Sequence, residues 1–186
     1  EADCTDAGGI WQGEDVSCYP PGSEVSFVST PGVAIPDATF PGVSDTINIP
    51  DSFIVDDVDV DLIITHTWVG DLCAIVDHGG TTVTVVARIG DTTDTLVCDG
   101  TGCCGLSADN IDVILDDEAS VPITDAVDPI TGAFVPEQPL SAFDGADAAG
   151  DWTIMIVDNA GGDTGTLDQW SLHFPPGENI CAVCGN

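Results

Sequence analysis

The chain has 186 residues, 43% of them hydrophobic, enough for one sizeable domain with an appendage and too much for a disordered acidic tail. Against 33 acidic residues, most of them Asp, stands one basic residue, Arg88, giving a formal net charge of -32. Nucleic acid and anionic membrane are thereby excluded as partners, and membrane insertion is not expected either. Self-repulsion on this scale opposes a compact state unless cations neutralise it, and Asp is a hard oxygen donor, so bound Ca2+ is the leading expectation. A merely salt-adapted acidic surface is the alternative.

Eight cysteines, in a chain without lysine or any apolar run of spanning length, point to an extracellular setting, secreted or at the cell surface. Proximity favours Cys4 with Cys18, Cys98 with Cys103 or Cys104, and Cys181 with Cys184, leaving Cys73 for the remaining vicinal cysteine. The C-x-x-C at 181–184 reads as a small structural disulfide, because no second pair stands near it with zinc-ligand spacing. The sequence opens at Glu1 without an initiator Met or signal peptide, which predicts a processed, mature chain.

In chain order, residues 1–33 are predicted to form an N-terminal arm, closed by a disulfide around Trp11 and broken by Pro-Pro-Gly. Its apolar residues Val25, Phe27 and Val28 are too few to fold alone and need a partner surface. Prolines at 31, 36, 41 and 50 break any helical run, so this stretch reads as edge strands and loops. Next comes period-two alternation, with Val58, Val60 and Leu62 on one face and Asp57, Asp59 and Asp61 on the other. It continues through Ile64, His66 and Trp68 and breaks at Gly70-Asp71. The "DHGG" at 77–80 signals a hairpin, with His78 in the turn. Val, Thr and Ile dominate while Lys, Glu, Gln and Met are scarce, so the expected class is an all-β sandwich of about ten short strands.

Several motifs are specific in combination: "ITHTWVGDL" at 64–72, "ILDDEA" at 114–119, and "PLSAFDGADAAGDWTIMIVDNAGGDTGTLDQWSLHF" at 139–174. In order and spacing they resemble the P domain (P/Homo B) of the subtilisin/kexin-like proprotein convertases in its bacterial secreted form, over roughly Ala34 to Phe174. The resemblance implies a jelly-roll β-sandwich that is not itself catalytic, either supporting a neighbouring protease or serving as an accessory or surface module. It gives three segments: the arm at 1–33, the sandwich at 34–174, and a cysteine-containing tail at 175–186. The arm and the insert "CDGTGCCGLSADNID" lie outside the family pattern.

The acidic, glycine-rich loop "DNAGGDTG" at 158–165 is neither an EF-hand, since counting from Asp158 puts Ala160, Gly162 and Gln169 at ligand positions, nor a repeat-type calcium helix, since "GGD" occurs once. What remains is a strand-to-strand loop whose Asp158, Asn159 and Asp163 are expected to converge with Asp71, Asp116, Asp117 and Glu118 at one end of the sandwich. Similar positions in the family lie near calcium, and these seven residues are the candidate ligands. His66 alternates with Ile64 and Trp68, so it reads as a hydrogen-bonded sandwich histidine, and His173 falls near the end of the last strand. No G-x-S-x-G setting exists for a nucleophile, and no enzymatic activity is expected. Trp152 and Trp170 fall at family core positions; Trp11 lies outside them, available for sugar stacking or a subunit contact.

The favoured function from sequence is a non-catalytic extracellular structural protein that self-assembles into a calcium-stabilised homo-oligomer or filament by adding its N-terminal arm to the next subunit's sheet. The alternatives are a carbohydrate- or surface-binding module and the accessory P domain of a secreted protease.

Overall fold

Alternation along Asp59–His66 sets the architecture: Val60, Leu62, Ile64 and His66 are buried, and the residues between them are not. A strand with one apolar face must lay that face against a second layer. In the computed structural model, which describes residues 24–91, 98–99 and 105–175, that layer is a second sheet. Ten strands are present among the described residues: Val25–Ser29 (β1), Val33–Ile35 (β2), Val43–Ile49 (β3), Asp59–His66 (β4), Leu72–His78 (β5), Thr81–Ala87 (β6), Ile111–Leu115 (β7), Thr131–Phe134 (β8), Gly150–Asp158 (β9) and Gly165–Phe174 (β10).

One sheet runs β1-β10-β4-β7-β8, with β2 also on β10; the other runs β3-β9-β5-β6. All pairings are antiparallel except β7 with β8. The result is the expected all-β sandwich, closed by a core in which Trp152 and Trp170 are fully buried. Phe174 is the hub between layers, with edge-on contacts to Phe53 at 5.0 Å, Trp152 at 5.8 Å and Phe27 at 6.2 Å between ring centroids. Such aromatic packing adds to plain area burial. Each indole N–H is also satisfied, Trp152 by donating to the Ala148 carbonyl and Trp170 by donating to Asp45.

Three expectations change. The segment assigned to a partner-seeking arm supplies β1, which pairs with β10 of its own chain from Val25 opposite Phe174 to Ser29 opposite Trp170. Val25 is buried and Phe27 packs on the core; only Val28 points to solvent. Cys73, on β5, is bonded to Cys98 instead of to a vicinal cysteine, because the connection that follows β6 returns Cys98 to within 5.6 Å of Cys73 between Cα atoms. Proximity in sequence misses this bond since it spans 25 residues. The remaining cysteines, with Trp11, lie outside the described residues. Finally, His78 closes β5 and is not in the turn itself, which is Gly79-Gly80 with positive φ at both positions, as a two-residue hairpin requires. The His78 ring stacks on Trp152 at 4.0 Å, its two nitrogens facing the carbonyls of Asp147 and Asp151.

Replacing Trp152 with Ala should cost about 3–5 kcal/mol, as for large aromatic deletions in a closed core. Val127→Ala, at an exposed loop position, should stay within about 0.5 kcal/mol. Urea denaturation of both variants checks the contrast.

Candidate functional site

At one end of the sandwich the finish of β4, the start of β5 and the finish of β9 meet. His66 ends β4 with its ring fully buried; its Nδ1 lies 3.1 Å from the Trp68 N–H and 3.0 Å from the Trp68 carbonyl, and its Nε2 faces Asp158 Oδ2 at 3.4 Å. The tight turn Val69–Asp71 then places Asp71 beside β9, where both the backbone N–H and the side-chain amide of Asn159 donate to the Asp71 carbonyl at 2.9 Å. A side chain at Gly70 would run into Gly105 and Leu106, so only glycine permits this approach. Asp158 turns the chain by accepting from the Ala160 N–H, Asp163 accepts from the Thr67 hydroxyl, and Asp37 accepts from the Gly162 N–H.

Two carboxylate oxygens here, Asp71 Oδ1 and Asp158 Oδ2, are buried without a hydrogen-bond donor. Burial, reinforced by Asp158 and Asp163, pushes Asp71 up to about 6. Asp158 is also raised, by burial in the first place, although the Ala160 N–H and His66 oppose the shift. Thus Asp71, Asp158, Asn159 and Asp163 lie at the same end of the sandwich.

Asp116, Asp117 and Glu118 do not join them. They follow β7, whose last residue Leu115 stands opposite Val60 at the start of β4, whereas His66 ends that strand. An eight-residue strand separates the two ends by more than about 20 Å. The expectation of a single acidic end is corrected: shared acidity cannot reveal that β4 runs between the two groups. Asp117 is committed to the turn Leu140–Phe143, its two oxygens accepting from the N–H groups of Leu140 and Ser141, while Asp116 accepts from the Glu118 N–H. Around them Asp57 is raised chiefly by burial, and Glu118 is raised chiefly by the charge of Asp57. Asp59 is pushed up to about 7 by burial and then by Asp116, Asp57 and Glu118. Among all described residues, no three His, Cys, Asp or Glu side chains are grouped closely enough to hold a metal ion by themselves.

A third group escaped the sequence reading. On the outer face of β10, His173 Nε2 stands 2.8 Å from Asp61 and Nδ1 stands 3.0 Å from Glu24, with the Ser171 hydroxyl 3.2 Å from both the imidazole and Asp61. With Asp59, Ile114 and Pro175, the two acids and His173 line a cavity of about 260 Å3. The i, i+2 spacing of Ser171 and His173 could have signalled it, but their acidic partners come from elsewhere in the chain. The set has the residue types of a hydrolytic triad without its working geometry. Ser171 is buried, with 1% exposure, and its hydroxyl is shared with Asp61, so it offers no approach to a substrate carbonyl.

The model of the proprotein convertase P-domain matches residues 121–174, which include β8, β9 and β10 with Trp152, Asp158 and Trp170. Over that span this chain is similar to a P domain. The matched span is shorter than the Ala34 to Phe174 resemblance and holds the loop that brings Asp158 to Asp71. P domains form a non-catalytic accessory family. No curated protein matches the sequence. Among solved structures, the serine protease of Aeromonas sobria is similar at 19% identity with a TM-score of 0.48, and its complex with a chaperone at 18% identity with the same score. Each of these covers 83% of this chain and 27% of the other, so the chain spans about a quarter of their length. The structure of infectious bursal disease virus, Gt strain, is similar at 13% identity with a TM-score of 0.36, covering 93% of this chain and 38% of that one.

The acid groups predict a pH profile. Asp59 and Asp71 have folded pKa values near 7 and 6, above the ordinary 3.8, so their protonated forms are favoured by folding. The associated stability is complete below the unfolded value and is lost as pH rises through the folded one. In chelator and low salt, the urea midpoint should therefore fall between about pH 4 and 7, and Asp59→Asn should flatten the upper part of the fall. A midpoint that rises through this range would contradict the assignment.

Proposed function

We propose that the chain is a non-catalytic accessory module of an extracellular protein, acting as P domains do beside a secreted protease, and that calcium stabilises its Asp71/Asp158 end. The observation that carries this reading is the family match over 121–174, whose strands β9 and β10 lie one in each sheet and hold the sandwich together. The two buried, donor-less carboxylate oxygens of Asp71 and Asp158 fit a hard cation; Asp163 lies at the same end, and main-chain carbonyls would complete the shell. Calcium bound there would add positive charge to what His66 and Arg88 offer Asp71. Among the described residues, no helix is long and apolar enough to cross a membrane.

The homopolymer reading rested on an unpartnered arm, and the apolar residues on which it relied are paired within their own sheet, so it is not carried forward. Carbohydrate binding rested on Trp11, which lies outside the described residues.

Calcium at about 100 times its Kd should stabilise the fold by about 2.7 kcal/mol, which for a domain of this size raises the Tm by roughly 5–10 °C. Asp71→Asn should abolish most of that gain. The accessory role is tested by fusing the chain to a subtilisin-like catalytic domain and following thermal inactivation: a longer half-life supports the role, and an unchanged one opposes it.

A further inference from the structure

His173 joins three strands from a single side chain. It lies on β10; Glu24, which accepts or shares a proton at Nδ1, immediately precedes β1; and Asp61, at Nε2, lies on β4. β1 is the outermost strand at this part of the sheet, five residues long and paired on one side only, with β10. Its core contacts come from Val25 and Phe27, and Ser26 is its residue in register with His173. A short edge strand of this kind opens by local fraying more readily than the strands inside the sheet.

We propose that His173 is a proton-operated clasp that holds β1 against β10 when the imidazole is protonated and loosens that strand when it is neutral. The geometry requires the charge for full strength. Only an imidazolium donates from both nitrogens at once, and here both nitrogens face carboxylates; a neutral ring donates from one and turns a lone pair toward the other acid. The groups facing the ring are Glu24 from the β1 side, Asp59 and Asp61 from β4, and Ser171 from β10 itself; Ile114 from β7 and Pro175 add no charge. Asp116, Asp57 and Glu118 stand behind Asp59 and add to the negative field. Burial alone lowers the affinity of His173 for its proton, but the hydrogen bonds and charges of Glu24 and Asp61 outweigh it, and the net shift is upward from 6.5. The sign follows: the clasp is fully closed below pH about 6.5 and is lost as pH rises through the higher folded value.

Native-state hydrogen exchange, corrected for the intrinsic pH dependence of amide exchange and run at constant calcium, reads the clasp directly. Between pH about 5.5 and 8.5 the protection of the β1 amides that bond to β10 should fall about tenfold in the wild type beyond any fall shared with the amides of β9 and β5. His173→Gln should hold β1 at the weaker level throughout. Glu24→Gln, a change at an exposed side chain, should reduce the amplitude without disturbing the core. Asp59→Asn removes a second group that titrates in this range and should leave the β1 drop in place. A pH-independent β1 in the wild type, or a drop of the same size in His173→Gln, would overturn the proposal.

Discussion

Most carboxylates in this sandwich have to be met by a neutral donor, by an imidazole, by water or by an imported cation, because the chain's single Arg is already engaged: Arg88 is buried and stands 2.8 Å from Asp91. The strands answer this by setting hydroxyls and amides beside acids on their outer faces. Thr65 donates to Asp168, Thr82 to Asp77, Ser52 to Asp147 and Asn48 to Asp151. Backbone N–H groups at turns serve Asp37, Asp116, Asp117, Asp147 and Asp158. Such bonds let an acid sit at a surface without a partner charge, and they explain why so acidic a chain can still close a core.

Where that supply of neutral donors runs out, the structure acquires its chemistry. Asp71 and Asp158 are carried into the sandwich end by the same turn and loop that bind β5 to β9, and each retains a buried oxygen without a donor. His66 is too constrained by Trp68 to serve both acids. At the opposite end Asp59 is pressed by Asp116, Asp57 and Glu118, and His173 is the cation within reach. The two ends thus differ, one keeping buried carboxylate oxygens without a donor and the other setting an imidazole between acids.

Much of this was legible in the sequence, for physical reasons. The alternation at Val58, Val60 and Leu62 has only one stable solution, a half-buried strand, and Gly79-Gly80 only one economical hairpin. Asp71, Asp158, Asn159 and Asp163 were recoverable from motifs, since short turns fix them relative to β5 and β9. Position along β4 was not recoverable, because an acid's type says nothing about which end of a strand it occupies, and Asp116 to Glu118 were therefore placed at the wrong end relative to Asp71. The apolar residues of β1 looked orphaned for a similar reason: their partner, β10, lies at the far end of the chain. The Cys73 to Cys98 bond and the Ser171, His173, Asp61 and Glu24 group are likewise products of strand order, which local pattern does not encode.

The central proposal is that the buried carboxylates of Asp71 and Asp158 bind a cation at their end of the sandwich. Terbium, a luminescent stand-in for calcium, tests it most directly, because Trp68 immediately precedes the turn that carries Asp71 and can sensitise emission from an ion bound there. The account predicts saturable, calcium-displaceable emission that is lost in Asp71→Asn, weakened in Trp68→Phe and retained in Asp116→Asn. Emission that is absent, or that survives Asp71→Asn and disappears in Asp116→Asn, would contradict it.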